Sequence, residues 1–147
     1  MKYAFVNVPA APVRRKPMHR KEMINQLLFG EAVQVLKTKD DLWVKIRGLH
    51  DGYEGWITTT QLEETDELTA TAGSSFAAMD LLNTLIVENK IINIPVGSSL
   101  PFFADGKGRL GKTVYEFEGK VLKRDEQQPG TALVKQLTQP WLNAPYL

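Results

Sequence analysis

Residues 26–37 read QLLFGEAVQVLK. After Gly30 the run alternates, with Ala32, Gln34 and Leu36 on one side and Val33 and Val35 on the other. A period of two is that of a half-buried strand, because successive side chains point to opposite faces. The pattern recurs on both flanks. Upstream, MKYAFVNVPAAPVRRKP (1–17) puts Tyr3, Phe5 and Val8 along one side of a first strand, and Pro9 and Pro12 then predict an extended loop. Downstream, LWVKIR (42–47) sets Trp43 against Val44 and Ile46 against Arg47. DGYEGWI (51–57) supplies a short aromatic strand in which Gly52 and Gly55 permit tight turns or close backbone approach. TTTQLEE (58–64) predicts a single helical turn. Strands of about five residues at such close spacing predict a small β-barrel.

EETDELTATAGSS (63–75) is acidic, then small and polar, and predicts a boundary between domains. Beyond it, SSFAAMDLLNTLIV (74–87) admits a helix or a pair of bulged strands, since short apolar runs cannot be arbitrated by period alone. KIINIPVGSSLPFF (90–103), with its β-branched residues, Pro95 and Gly97, predicts strand and turn. TVYEFEGKVLKR (113–124) alternates Val114, Glu116 and Glu118 against Tyr115 and Phe117, again a strand. GTALVKQL (130–137), ahead of Pro140, predicts a short helix. The shared order of LLFGEAVQV (27–35) and IPVGSSLPF (94–102) points to two related small β-domains.

Composition narrows the function. In 147 residues, Lys plus Arg number 18 against 17 Asp plus Glu, a net charge of +1. A dedicated nucleic-acid binder needs a strong basic excess to exploit counterion release, so that class is disfavoured. Cysteine is absent, which excludes disulfides, thiolate metal sites and a cysteine nucleophile within these residues. Asn7 and Pro9 interrupt the N-terminal apolar run before it reaches signal-peptide length, and no stretch approaches the roughly 18 apolar residues of a membrane span. With Met1 as the native start, the expected location is cytoplasmic, without membrane association.

Several stretches invite a chemical reading. GKGRLGKT (106–113) matches the phosphate-loop pattern, but that loop requires a helix from about Lys112, and the strand-like TVYEFEG follows instead. A turn joining two strands is the expectation. VRRKPMHRK (13–21) is basic but lacks interleaved aromatics for base stacking, so it reads as a solvated loop, compatible with anionic cell-wall peptides. His19 and His50 lack the spacing of metal ligands, and Ser74, Ser75, Ser98 and Ser99 lack a nucleophile elbow. No catalytic residue, metal site or cofactor is expected in this chain. Trp43 and Trp56 read as core; Tyr53, on a turn-like entry, is the better candidate for a surface hydrogen bond.

VRRKPMHRKEMINQLLFGEAVQVL (13–36) and LWVKIRGLHDGYEGWITTTQL (42–62) together resemble the first bacterial SH3-like domain of NlpC-type cysteine peptidases, which trim peptidoglycan stem peptides. IPVGSSLPFFADG (94–106) is similar to the second such domain of a subgroup, and WLNAPYL (141–147) resembles the lead-in to the catalytic domain. The family's Trp-Gly-Gly and Asp-Cys-Ser-Gly elements are not among these residues. The resemblance implies a mainly β chain of two small SH3-like β-barrels in tandem, residues 1–64 and 65–129. A helix or linker over 130–147 would lead toward a catalytic domain outside this sequence. The implied parent is a γ-D-glutamyl-L-diamino-acid endopeptidase, whose Cys, His and orienting residue would lie beyond Leu147.

In that subgroup the first SH3-like domain walls off one end of the active-site groove and restricts substrates to stem peptides with a free N-terminal L-Ala. The Tyr of the family's DGY turn matches Tyr53 and the Glu of its EM motif matches Glu22. The family's small polar residue ahead of that Glu is Lys21 here. A carboxylate and a phenol beside a primary ammonium supply one charge partner and one acceptor. The implied partners are the catalytic domain of the same parent and cell-wall stem peptides. The alternative is a stand-alone module that binds cell-wall peptide without enzymology of its own. A proline-peptide adaptor is disfavoured, since neither the acidic loop nor the paired tyrosines of such a groove is visible. On the linker reading, QPWLNAPYL (139–147) is a severed lead-in, with Tyr146 and Leu147 frayed or held by a neighbouring molecule.

Overall fold

Alternation over residues 32–38 becomes the fourth strand of a seven-stranded antiparallel sheet. The computed structural model describes residues 1–142. The first sheet contains β1 (Tyr3–Val6), β2 (Ala10–Arg14), β3 (Met23–Leu28), β4 (Ala32–Thr38), β5 (Trp43–Gly48), β6 (Glu54–Thr58) and β7 (Leu62–Thr65), in the order β3-β2-β6-β5-β4-β1-β7. Every strand sends at least one side chain to a common core: Ala4 and Val6, Ala11 and Val13, Leu27, Val33, Val44 and Ile46, Ile57, and Leu62. Seven short strands can share one interior only by curling around it. Register shifts at Val13/Arg14 and Val35/Lys37 supply the local bends. Pro12 is tolerated in β2 because β6 meets that strand only at Arg14, so no ladder bond is lost on that side.

The two expected uses of glycine fall to different residues. Gly52, at φ +70, makes the β5–β6 turn, while Gly55 allows close approach, a Cβ there falling 2.3 Å from Val13 Cγ1. TTTQLEE contains one 3-10 turn, Thr59–Gln61, which leads into β7. Trp43 is buried, on the face opposite Val44 and Ile46, beneath the His19 ring at 4.9 Å. Trp56, expected in the core, is only half-buried.

The expectation for the first strand needs correcting. Tyr3, Phe5 and Val8 do not share a face. Ala4, Val6 and Val8 contact the barrel core, while Phe5 points the other way into a second core. The strand ends at Val6, and Val8, two residues on, keeps the side of Ala4 and Val6, whereas Tyr3 and Phe5 are odd positions on the other side.

Within the stretch expected to form a boundary between domains, Asp66 caps a short helix, α1 (Glu67–Thr71), accepting hydrogen bonds from Thr69 N at 2.8 Å and Thr69 Oγ1 at 2.7 Å. These bonds hold its carboxyl below the usual range. The open choice at 74–87 resolves to strands, β8 (Phe76–Ala78) and β9 (Leu82–Val87). Between them Asn83 Nδ2 donates to Asp80 O at 2.6 Å and closes a turn. Within β9, Asn83 and Leu85 are buried while Leu82 and Ile86 are exposed, a period of two that a helix would not produce.

The remaining elements are β10 (Lys90–Pro95), β11 (Lys107–Leu110), β12 (Thr113–Phe117), β13 (Val121–Lys123) and α2 (Thr131–Thr138). They build a four-stranded sheet, β10-β9-β12-β11, and a two-stranded ribbon, β13-β8. Residues 106–113 form the β11–β12 hairpin, so the phosphate-loop pattern is a turn between strands, as expected. Tyr115 and Phe117 are buried and Val114 and Glu116 exposed, also as the alternation predicts.

The chain is thus mainly β with a short C-terminal helix, consistent with SH3-like β-domains. Its two β bodies share a seam. The second core joins Ala78, Leu85, Ile94, Leu100, Leu110, Tyr115 and Phe117 to Phe5 and Phe29 of the first sheet's polypeptide. Ser99 N donates to Phe29 O at 2.9 Å across that seam. The Tyr115 hydroxyl, buried, donates to Pro101 O at 2.8 Å. Burial pushes its pKa well above the ordinary phenol range. Tyr115→Phe removes this bond but leaves Pro101 O its bond from Arg109 N at 3.1 Å, so it is expected to cost about 1 kcal/mol in urea unfolding; an unchanged midpoint would show that the bond contributes nothing net.

Candidate functional site

The basic stretch ahead of β3 is closed at its neck. Arg15 Nε lies 2.9 Å from Glu22 Oε2, Arg15 N donates to Glu22 O at 3.1 Å, and Arg14 Nη1 donates to Lys21 O at 2.6 Å. With His19 folded over Trp43, the loop is a pinned flap rather than an open polycation. The β5–β6 turn is equally defined. Asp51 Oδ1 accepts from Tyr53 N at 2.9 Å, Asn25 Nδ2 donates to Asp51 Oδ2 at 3.1 Å, and Gly48 N donates to Tyr53 O at 3.0 Å. The Tyr53 ring projects outward and is 46% exposed.

Between flap and turn lies an open depression of about 440 Å³ lined by Arg15, Ile24, Gly52, Tyr53 and Glu54. Arg15 therefore links the two residues singled out from sequence: it lines the same depression as Tyr53 and pairs with Glu22. The cation competing for Glu22 is Arg15, not the neighbouring Lys21. Both partners of that pair are about two-thirds exposed, 65% and 64%, so the pair is weak and an incoming ammonium can share the carboxylate at little cost.

Sequence reasoning did not tie three neighbours to this site: Arg15, read as part of a solvated basic loop, and Asp51 and Glu54, read only as turn flanks of Tyr53. Glu54 is held by Lys45 Nζ at 2.7 Å and Arg47 Nη2 at 2.6 Å, bonds that keep its carboxyl below the usual range. Its pairing with Arg47 follows from hairpin register and was legible in principle. The Arg15–Glu22 pair spans a loop with no periodic signal. Of the C-terminal residues expected to lead into a catalytic groove, Trp141 is 50% exposed, while Pro145, Tyr146 and Leu147 lie outside the described residues.

Residues 13–62 match the family model of the bacterial dipeptidyl-peptidase Sh3 domain. The match takes in the flap, the β5–β6 turn and both Glu22 and Tyr53. The fold also resembles that of an NlpC/P60 family protein from Bacillus cereus, with a TM-score of 0.68 at 17% identity over 91% of this chain. This chain spans 62% of that protein's length. No curated protein matches the sequence. Among the described residues, no helix is long and apolar enough to cross a membrane.

A larger cleft of about 590 Å³ opens between the two β bodies, lined by residues on both sides of the limits of the family match. Glu31, His50 and Arg124 bring charged or ionisable side chains to it, and Phe5, Ala32, Leu49 and Ala70 its apolar surface. Burial is the main cause that raises the Glu31 carboxyl above its usual pKa; a hydrogen bond from the Leu28 backbone works against it, and Asp51 adds a smaller upward push. A raised carboxyl pKa means the folded chain holds the proton more tightly than the unfolded chain, so ionisation of Glu31 opposes folding. That cost is absent well below the ordinary Glu pKa of about 4.3 and complete above the folded value. Glu31→Gln is therefore expected to raise Tm at pH 7 by a degree or so and to give no gain at about pH 3. Equal gains at both pH values would contradict the sign.

Proposed function

We propose that this chain is the non-catalytic region of a peptidoglycan stem-peptide hydrolase. Its first β body forms one wall of the substrate groove and restricts it to peptides with a free N-terminal L-Ala. The observation that carries the proposal is the match of residues 13–62 to a dipeptidyl-peptidase SH3 domain, within which Tyr53 and Glu22 border one surface through Arg15. On this reading the phenol oxygen of Tyr53 accepts a hydrogen bond from the peptide ammonium. Glu22, released in part from Arg15, supplies the counter-charge. The division into SH3-like units at 1–64 and 65–129, with 130–147 leading toward a catalytic domain, belongs to the same proposal. Its partners are that domain and the stem peptide.

The depression is open and shallow, so it serves as one side of a groove and needs a second wall to exclude water from the ammonium. In the full-length protein, Tyr53→Phe is expected to raise KM about tenfold for free-amine stem peptides and to leave N-acetylated peptides unchanged. Unchanged kinetics for both substrates would overturn the assignment of Tyr53. Strong binding of free-amine muropeptides by the 147-residue chain alone would favour the stand-alone binding module instead.

A further inference from the structure

We propose that the cleft between the two β bodies binds a short peptide or amino acid with both ends free, its carboxylate on Arg124 and its ammonium on Glu31. The proposal goes beyond the groove-wall reading and does not rest on it. The turn between β5 and β6 separates the two surfaces, with Leu49 and His50 on the cleft and Gly52 and Tyr53 on the depression.

Opposite charges face this cleft without neutralising each other. Among the described residues, neither Glu31 nor Arg124 takes part in an ion pair within 4 Å. Arg124 is already oriented: Nη1 donates to Ser74 O at 3.1 Å, Nη2 to Ser99 Oγ at 3.0 Å, and its backbone N to Ser75 O at 2.8 Å. A guanidinium carries five N–H donors, so three remain for a carboxylate, and little side-chain entropy is left to lose on binding. Glu31 is a partly buried carboxylate whose nearest charges, His50 and Arg124, act on it only from beyond ion-pair distance, and an ammonium placed against it offsets the desolvation that raises its pKa.

Shape and rigidity agree with this. The apolar surface offered by Ala32, Leu49, Ala70 and Phe5 suits small aliphatic side chains. The volume lies within the roughly 300–1,000 Å³ typical of small-ligand sites. Both walls are tied together by the Ser99 N to Phe29 O bond, so the site is formed before any ligand arrives.

The test is an amide-shift NMR titration of the 147-residue chain with alanyl-alanine, N-acetyl-alanyl-alanine and alanyl-alanine amide. The expected result is a set of shifts at Gly30, Gly73, Gly97 and Arg124, with each capped analogue about tenfold weaker than the free dipeptide. Glu31→Gln should abolish the preference for the free amine and keep that for the free carboxylate. Arg124→Gln also removes the bonds to Ser74 and Ser99, so the capped ligands on the unsubstituted chain carry the carboxylate half of the test. No shifts in the cleft at about 50 mM dipeptide, equal affinities for the three ligands, or shifts confined to Gly52 and Tyr53 would each overturn the proposal. The groove-wall reading is scored separately, by the kinetics of Tyr53→Phe.

Discussion

Phe29→Ala is expected to destabilise the chain by about 3–5 kcal/mol and to loosen both β bodies together. Phe29 follows β3, within the polypeptide of the first sheet, yet its ring is fully buried in the second core, edge-on to Tyr115 at 5.7 Å and 86°. Truncation removes one of the two phenylalanines that the first body contributes to the second core and leaves a cavity between Tyr115 and its neighbours. Trp43 and Trp56 lie in the first sheet, so with Trp141 replaced by Phe their fluorescence reports that body alone. Far-UV circular dichroism reports both. The two transitions are expected to coincide in the parent chain and to shift together in the variant. A tryptophan transition that stays in place would show that the first body folds independently of the seam.

Gly30→Ala is expected to cost about 2–4 kcal/mol, more than any ordinary glycine substitution in a turn. Gly30 has φ +77, where L side chains are strained. A Cβ there would also fall 2.1 Å from Ser99 O, 2.8 Å from Ser99 C and 2.9 Å from Pro101 Cδ. Two of those atoms are backbone and cannot rotate away. The strand turn would have to move off the second body, breaking the Ser99 N to Phe29 O bond. Gly52→Ala is the internal control, since its φ of +70 carries similar strain with nothing within 4 Å of the new methyl. It should cost only about 1 kcal/mol. Equal losses in urea unfolding would mean that the seam yields freely at Gly30.

Phe29 and Gly30 belong to LLFGEAVQV, whose likeness to IPVGSSLPF points to two related small β-domains. In space the two stretches meet: Ser99 pairs with Phe29, and a Cβ added at Gly97 would stand 3.8 Å from a methyl of Leu28. The repeated glycine turns are where the two bodies touch. Linear order could show that the segments were alike, but not that they face one another.

Local features read well from sequence because strand parity depends only on neighbours along the chain. Val33 and Val35 against Ala32, and Tyr115 and Phe117 against Val114 and Glu116, needed no tertiary knowledge. The hairpin at 106–113 was legible for the same reason, since no helix-forming run follows it. Tyr53 could be placed on an exposed turn from its glycine and aspartate flanks. Parity could not say which faces would be covered: Ala4, Val6 and Val8 meet the barrel core, and Phe5 on the opposite side is covered by a second body.

The sequence by itself determined the β class, most strand phases, the turn at 106–113, the C-terminal helix and the exposure of Tyr53. These follow from side-chain alternation and turn chemistry within a few residues. Only the tertiary structure decided that Arg15 holds Glu22, that Phe5 and Phe29 complete the second core, and that Glu31 and Arg124 face one cleft. Each of those depends on residues far apart in the chain meeting across a loop or a seam. Burial and charge pairing at such places are set by packing, for which local sequence carries no period to read.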